Sequence, residues 1–178
     1  MERVMVVGTS SSGKTTLARR VADSIGAEHI ELDALHWGPN WTGLPRDVFR
    51  DIVRRRAGAD RWVIDGNYGA VQDIVMARAT DALWLDYPLA VVFCRAVRRT
   101  WRRVVTGEEL FGGNRETFFA AFFRPDAIPW WVVRTHFRHR RTYPERFARY
   151  PDIRLTRLTG QSEADAFVRR LAVQGESR

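Results

Sequence analysis

Apolar positions along the chain follow two rhythms. Short runs such as Val4-Met5-Val6-Val7 carry apolar side chains on both faces and read as strands buried within a parallel sheet. Further short runs at residues 29–32, 61–66, 81–86 and 153–158, some apolar throughout and some mixed with polar positions, give five predicted strands. Between them the apolar positions space out to three and four. Leu17, Val21 and Ile25 mark a first helix, and Val48, Ile52 and Val53 mark another over residues 45–58, with Pro45 in its first turn. Further helices are predicted over 70–78, from Pro88 onward, over 128–147, and over 163–173 with Ser162 as cap, the tail fraying from Gln174. Strands alternating with helices argue an α/β chain. With no repeat, low-complexity stretch or dividing linker, residues 1–178 read as one domain.

The first strand runs straight into Gly8-Thr9-Ser10-Ser11-Ser12-Gly13-Lys14-Thr15, and a helix follows at once. This is the strand–loop–helix setting in which such a stretch becomes a phosphate-binding loop. Gly8 and Gly13 permit a tight turn, so the N–H groups of Ser10, Ser11, Ser12 and Thr16 converge on one anion with the free N–H groups of the helix start. Lys14 is expected to reach β- and γ-phosphates, and the Thr15 hydroxyl to hold Mg²⁺. Lys14 is also the sole lysine of the sequence. Arginine cannot replace a compact ammonium in a narrow phosphate cradle.

In an open α/β sheet the loops after the strands line the ligand crevice. The second strand leads to Asp33, read either as the carboxylate that orients and deprotonates an acceptor hydroxyl or as a turn and capping residue. His36, Trp37 and Trp41 follow in a stretch too rich in Gly, Pro and Asn for a helix; these aromatics either stack on a substrate or pack a lid. Arg46 opens the next helix beside them. The third strand ends in Asp65, a second candidate Mg²⁺ residue, followed by Gly66, Asn67 and Tyr68 on the acceptor side. Arg95, Arg98 and Arg102 share one face of the helix after Pro88. A segment over 106–128, with Gly107, Gly112 and Gly113, reads as a lid, with Arg115 as its lead for meeting a transferred phosphoryl group. The phenylalanines at 118–123 are read as core. Arg134, Arg138 and Arg141 recur along the helix over 128–147, and Gly160 lies in a loop placed against a donor base.

Composition narrows the classes. The apolar fraction of 45% and charged fraction of 28% describe a globular chain. No apolar run spans a bilayer, no signal peptide is evident, and Cys94 stands alone, so a reducing cytoplasm is the expected location. His29, His36, His136 and His139 do not make a metal spacing with it. The net charge of +8 fits a site that neutralises several phosphates; nucleic acid is the less favoured partner. A guanine-reading Asn-Lys-x-Asp motif is excluded, because Lys14 is the only lysine.

Taken with Leu32-Asp33-Ala34-Leu35-His36-Trp37, Trp62-Val63-Ile64-Asp65-Gly66-Asn67-Tyr68, Trp84-Leu85-Asp86-Tyr87-Pro88 and Gly113-Asn114-Arg115-Glu116, the loop resembles the nucleoside-monophosphate-kinase branch of the P-loop NTPases. The likeness is to the adenylate-kinase-related bacterial proteins labelled DNA topology modulation proteins, and it covers nearly the whole chain. It implies an α/β, three-layer P-loop NTPase fold with a five-stranded parallel sheet, an acceptor-binding region over 33–60 and an arginine-rich helical lid. It also implies an ATP- and Mg²⁺-dependent kinase. Kinases of this branch place an arginine seven residues beyond a proline, which here is Arg95 after Pro88. Their aromatic-Pro-Arg after the third strand is replaced by Asn67-Tyr68-Gly69, which points away from AMP. Asp33 followed by His36 is more similar to kinases whose acceptor presents a hydroxyl. The acceptor implied is a nucleotide-like or hydroxyl-bearing metabolite. The other reading is a nucleotide-hydrolysing protein associated with DNA or RNA.

Overall fold

The computed structural model describes residues 1–114 and 127–176. Five strands, β1 (Arg3–Gly8), β2 (Glu28–Glu31), β3 (Trp62–Asp65), β4 (Asp81–Leu85) and β5 (Arg154–Leu158), form one sheet in the order β2-β3-β1-β4-β5. Every pairing is parallel, so all strands end on the same edge. Seven helices are described: α1 (Lys14–Ile25), α2 (Leu32–His36), α3 (Arg46–Ala57), α4 (Gln72–Met76), α5 (Leu89–Thr106), α6 (Ile128–Phe147) and α7 (Gln161–Glu176).

Alternation along the buried strands divides the core into two layers. Met5, Val7, Trp62, Ile64, Ala82 and Trp84 face one way, against Phe49 and Val53 of α3 and Val75 and Met76 of α4. Val4, Val6, Val63, Leu83 and Leu85 face the other way, against α1, α5 and α7. The long helix α6 belongs to both. Its Val132 packs in the second layer, and its Tyr143 and Phe147 in the first. Its bounds coincide with the stretch predicted from the sequence. The helix therefore passes over the strand ends that carry the loops.

Several boundaries differ from the sequence reading. The strand predicted over 29–32 stops at Glu31, and Leu32 and Asp33 open the short helix α2 instead of a loop. The helix predicted over 70–78 contracts to Gln72–Met76. The last helix starts at Gln161, so Ser162 lies inside it and is not its cap. The turn before it is closed by Glu163, whose carboxylate accepts from the Thr159 N–H at 2.7 Å and from its hydroxyl at 3.0 Å. That helix also continues to Glu176, past the point where fraying was expected. Arg115, the phenylalanines at 118–123 and most of the predicted lid lie outside the described residues. Among the described residues no helix is long and apolar enough to cross a membrane.

Candidate active site

The loop from Gly8 to Thr15 is fixed by backbone contact with the sheet. A Cβ on Gly8 would sit 2.6 Å from the Leu85 carbonyl oxygen, so the chain leaves β1 through a space that only glycine fits. The Ser12 N–H donates to the Thr9 carbonyl at 3.1 Å, and Gly13 enters α1 with a left-handed φ of 95°. Ser11 holds a left-handed φ of 65°. The Ser11 and Ser12 hydroxyls are buried and make no hydrogen bond among the described residues, which a bound anion would supply. Ser10 and Thr16 flank them at the rim.

Lys14 turns its ammonium back onto the loop and donates to the Thr9 carbonyl at 3.1 Å. Desolvation pulls this ammonium below its usual range, Arg99 adds to the pull, and Asp65, Asp33 and Glu31 oppose it. Three carboxylates therefore surround the single lysine. Glu31 and Asp65 are register partners at the ends of β2 and β3. The Thr15 hydroxyl donates to Glu31 at 3.4 Å. Burial, then the neighbouring Asp65 and Asp33, raises the Glu31 carboxyl above its ordinary value. Asp65 is 2% exposed and faces His29 at 3.5 Å.

On the acceptor side, Tyr68 donates its hydroxyl to Asp33 at 2.5 Å. Burial and then the Asp33 charge hold the Tyr68 phenol protonated far above its ordinary range. His36 packs on Tyr68 at 4.9 Å and on Trp37 at 4.8 Å, and Trp37 meets Trp41 edge-on at 5.9 Å. Gly66, Asn67 and Tyr68 line a cavity of about 30 Å³ under α6, with His139, Tyr143 and Arg146 on its far side. Asn67 faces the phosphate loop more than the acceptor: its amide donates to the Gly8 carbonyl at 2.5 Å and accepts from Tyr143 at 2.9 Å. Arg46 is exposed at the start of α3. Arg138 is exposed on α6, 5.9 Å over the Trp131 ring.

Arg95 sits on the outer side of the phosphate loop, donating to the Ser12 carbonyl at 3.3 Å and to Gln161 at 3.1 Å, over the Tyr87 ring. Together with Gly13, Thr16 and Arg20 these residues line a groove of about 140 Å³. Gly160 lies one residue before Gln161, on the same side. Arg98 is exposed, and it is Arg99, one position on, whose charge reaches Lys14.

Four contributors escape the sequence reading. Glu31 was absorbed into a strand, and Arg99 falls one residue out of the chosen helical phase. His136 and His139 were weighed only as metal ligands, yet α6 turns both toward the phosphate loop. His136 is 2% exposed, with Nδ1 3.5 Å from the Thr9 hydroxyl. His139 stacks on Tyr143 at 4.9 Å. Burial, and then the Lys14 charge, lowers its imidazole to about 4. The helix is anchored by Asp86, which accepts from Arg140 at 2.6 Å and also from Arg157. Burial favours the neutral acid there, but those two arginines outweigh it and hold Asp86 below the usual carboxylate range.

No family model matches the chain, and no curated protein matches it. Solved structures do. A shikimate kinase from Bacteroides thetaiotaomicron aligns at a TM-score of 0.56 with 15% identity, covering 98% of each chain. A shikimate kinase from Acinetobacter baumannii in complex with shikimate aligns at 0.57 with 14% identity, over 99% of this chain and 94% of that one. A gluconokinase from Sinorhizobium meliloti 1021 aligns at 0.52 with 19% identity, over 97% and 94%. At such identities the likeness is one of architecture, and it spans the whole chain: a parallel five-stranded sheet, flanked by helices, in the P-loop kinase fold.

Proposed function

We propose that the protein is an ATP-dependent small-molecule kinase that transfers the γ-phosphoryl group of ATP to a hydroxyl-bearing metabolite. The observation that carries this is the convergence of Lys14, in its amide-lined loop, with the Asp33–Tyr68 pair at the same strand edge. A hydrolase needs the first of these; a carboxylate held in place by a phenol at the same edge is placed to accept the proton of an acceptor hydroxyl. The whole-chain likeness to shikimate kinases and a gluconokinase supports the reading.

In this reading the loop amides, the Ser10, Ser11 and Ser12 region and Lys14 hold the β- and γ-phosphates. Thr15, Glu31 and Asp65 offer oxygens for Mg²⁺, which suits an ion held by one or two carboxylates that completes its shell with hydroxyl, water and phosphate oxygens. Bound there, the ion would neutralise phosphate charge. Arg95 and Gln161 flank the donor on its outer side, with Gly160 and Arg98 at the periphery. Asp33 orients the acceptor hydroxyl and accepts its proton, while Tyr68 fixes the carboxylate. His36, Trp37, Trp41, Gly66 and Asn67 shape the acceptor space, with Arg46 and Arg138 as its outlying cations. Arg115 is proposed to meet the transferred phosphoryl group. Membership of the topology modulation family remains part of this proposal.

The test is transfer of label from γ-labelled ATP to a panel of sugars, polyols, nucleosides and hydroxy acids. Asp33→Asn should lower turnover about 100-fold with the KM for ATP within about twofold. Label appearing only as inorganic phosphate would refute transfer. A nucleic-acid-linked ATPase is favoured by one observation: α6 exposes Trp130, Trp131 and Phe137 among Arg134, Arg138 and Arg141. Retention on single-stranded DNA with a steep salt slope would support that alternative.

A further inference from the structure

The acceptor loop is a small hairpin held from outside. Gly38 donates to the Thr42 carbonyl at 2.9 Å and Leu44 to the His36 carbonyl at 3.0 Å, with a single bridge between Trp37 and Gly43. At its tip Asn40 and Trp41 take φ values of 55° and 54°, two successive left-handed residues, neither of them glycine. L-residues avoid that conformation, and surrounding structure must hold a consecutive pair in it.

Asn114 does the holding. It is polar yet only 7% exposed. Its Oδ1 accepts from the Trp41 N–H at 3.0 Å, and its Nδ2 donates to the Gly38 carbonyl at 2.9 Å and to the Phe111 carbonyl at 2.6 Å. It sits 73 positions from Trp41, at the end of the tight turn Phe111–Gly113 that follows α5. The two turns meet backbone to backbone: a Cβ on Gly112 would lie 2.4 Å from the Gly38 carbonyl carbon. From Trp41 a continuous row of rings, Trp37, His36 and Tyr68, runs back to Asp33.

We propose that Asn114 is a positioning residue for the acceptor: by pinning the left-handed tip of the loop it sets the aromatic row that frames Asp33. The acceptor part rests on the kinase reading above; the joint itself does not. Asn114→Ala should raise the KM for the acceptor about tenfold, leaving kcat and the KM for ATP within about twofold. Asn114→Asp keeps the oxygen for Trp41 but has no N–H for Gly38 or Phe111. It should move the same way, and it serves if the alanine variant folds poorly. Adding Asn40→Gly to Asn114→Ala should recover part of the acceptor KM, because glycine accepts the left-handed conformation unaided at the first of the two positions while Trp41 keeps its own. The second readout needs no acceptor: the Trp41 amide should exchange with deuterium at least about tenfold faster in Asn114→Ala than in the wild type. Unchanged exchange would overturn the joint. Faster exchange with an unchanged acceptor KM, or an equal rise in the KM for ATP, would overturn the positioning role. If the wild type phosphorylates nothing, the kinase reading and the acceptor clause fall together, while the exchange result still decides the joint.

Discussion

Two loops at the same strand edge hold left-handed residues by opposite means. The phosphate loop does so chiefly from within: Gly8 and Gly13 take two of its three left-handed positions and Ser11 the third, and Gly8 fits against β4 because it has no side chain. The acceptor loop puts Asn40 and Trp41 in those conformations and borrows two hydrogen bonds from Asn114 to keep them there. In the proposed function the first loop binds a group common to every nucleotide, and its turn residues are neighbours in sequence, with Leu85, Asn67 and Arg95 bracing them from elsewhere. In the same proposal the second suits one acceptor, and its shape depends on a segment distant in the chain. Chemistry shared by a fold is written locally, while specificity is assembled across it.

The sharpest way to break this contrast is Lys14→Ala, which removes the one ammonium of the phosphate loop. Turnover should drop about 10³-fold in a coupled kinase assay, with the denaturation midpoint little changed. Next comes Gly8→Ala, whose Cβ collides with the Leu85 carbonyl; chemical denaturation should show a loss of about 3 kcal/mol. The helix over the phosphate loop adds a pH dependence. His139 is lowered from 6.5 to about 4 in the folded chain, by burial and by Lys14, Arg138, Arg146 and His136. The unfolded chain binds that proton between those values and the folded chain refuses it, so stability is lost as pH falls through that window. Urea midpoints at pH 7 and pH 5 should therefore differ less in His139→Gln than in the wild type. The smallest effect belongs to the acceptor loop: Asn40→Gly should stabilise by about 0.5 kcal/mol in the same denaturation, since asparagine already tolerates the left-handed region.

The strands and the long helix were legible because their patterns are self-contained. Apolar runs such as β1, β3 and β4 are buried along their length and have no other stable home, and residues 128–147 form one uninterrupted helix. The phosphate loop was legible for the same local reason. What could not be read depends on pairing. Glu31 becomes a neighbour of Thr15 only once β2 lies in register with β3, and no local pattern separates it from an ordinary strand residue. Arg99 rather than Arg98 faces Lys14 because a helix phase chosen from charges alone is free by one position. His136 and His139 gain meaning only when α6 passes over the strand ends. In the sequence Asn114 stands only as a neighbour of Arg115, and its contacts with the acceptor loop lie 73 and 76 positions away.

That the chain has one lysine carries a practical consequence. An amine-selective acylating reagent has just two targets, this side chain and the α-amino terminus. Shielding of Lys14 by a triphosphate, read by peptide mass spectrometry, would report occupancy without any knowledge of the second substrate.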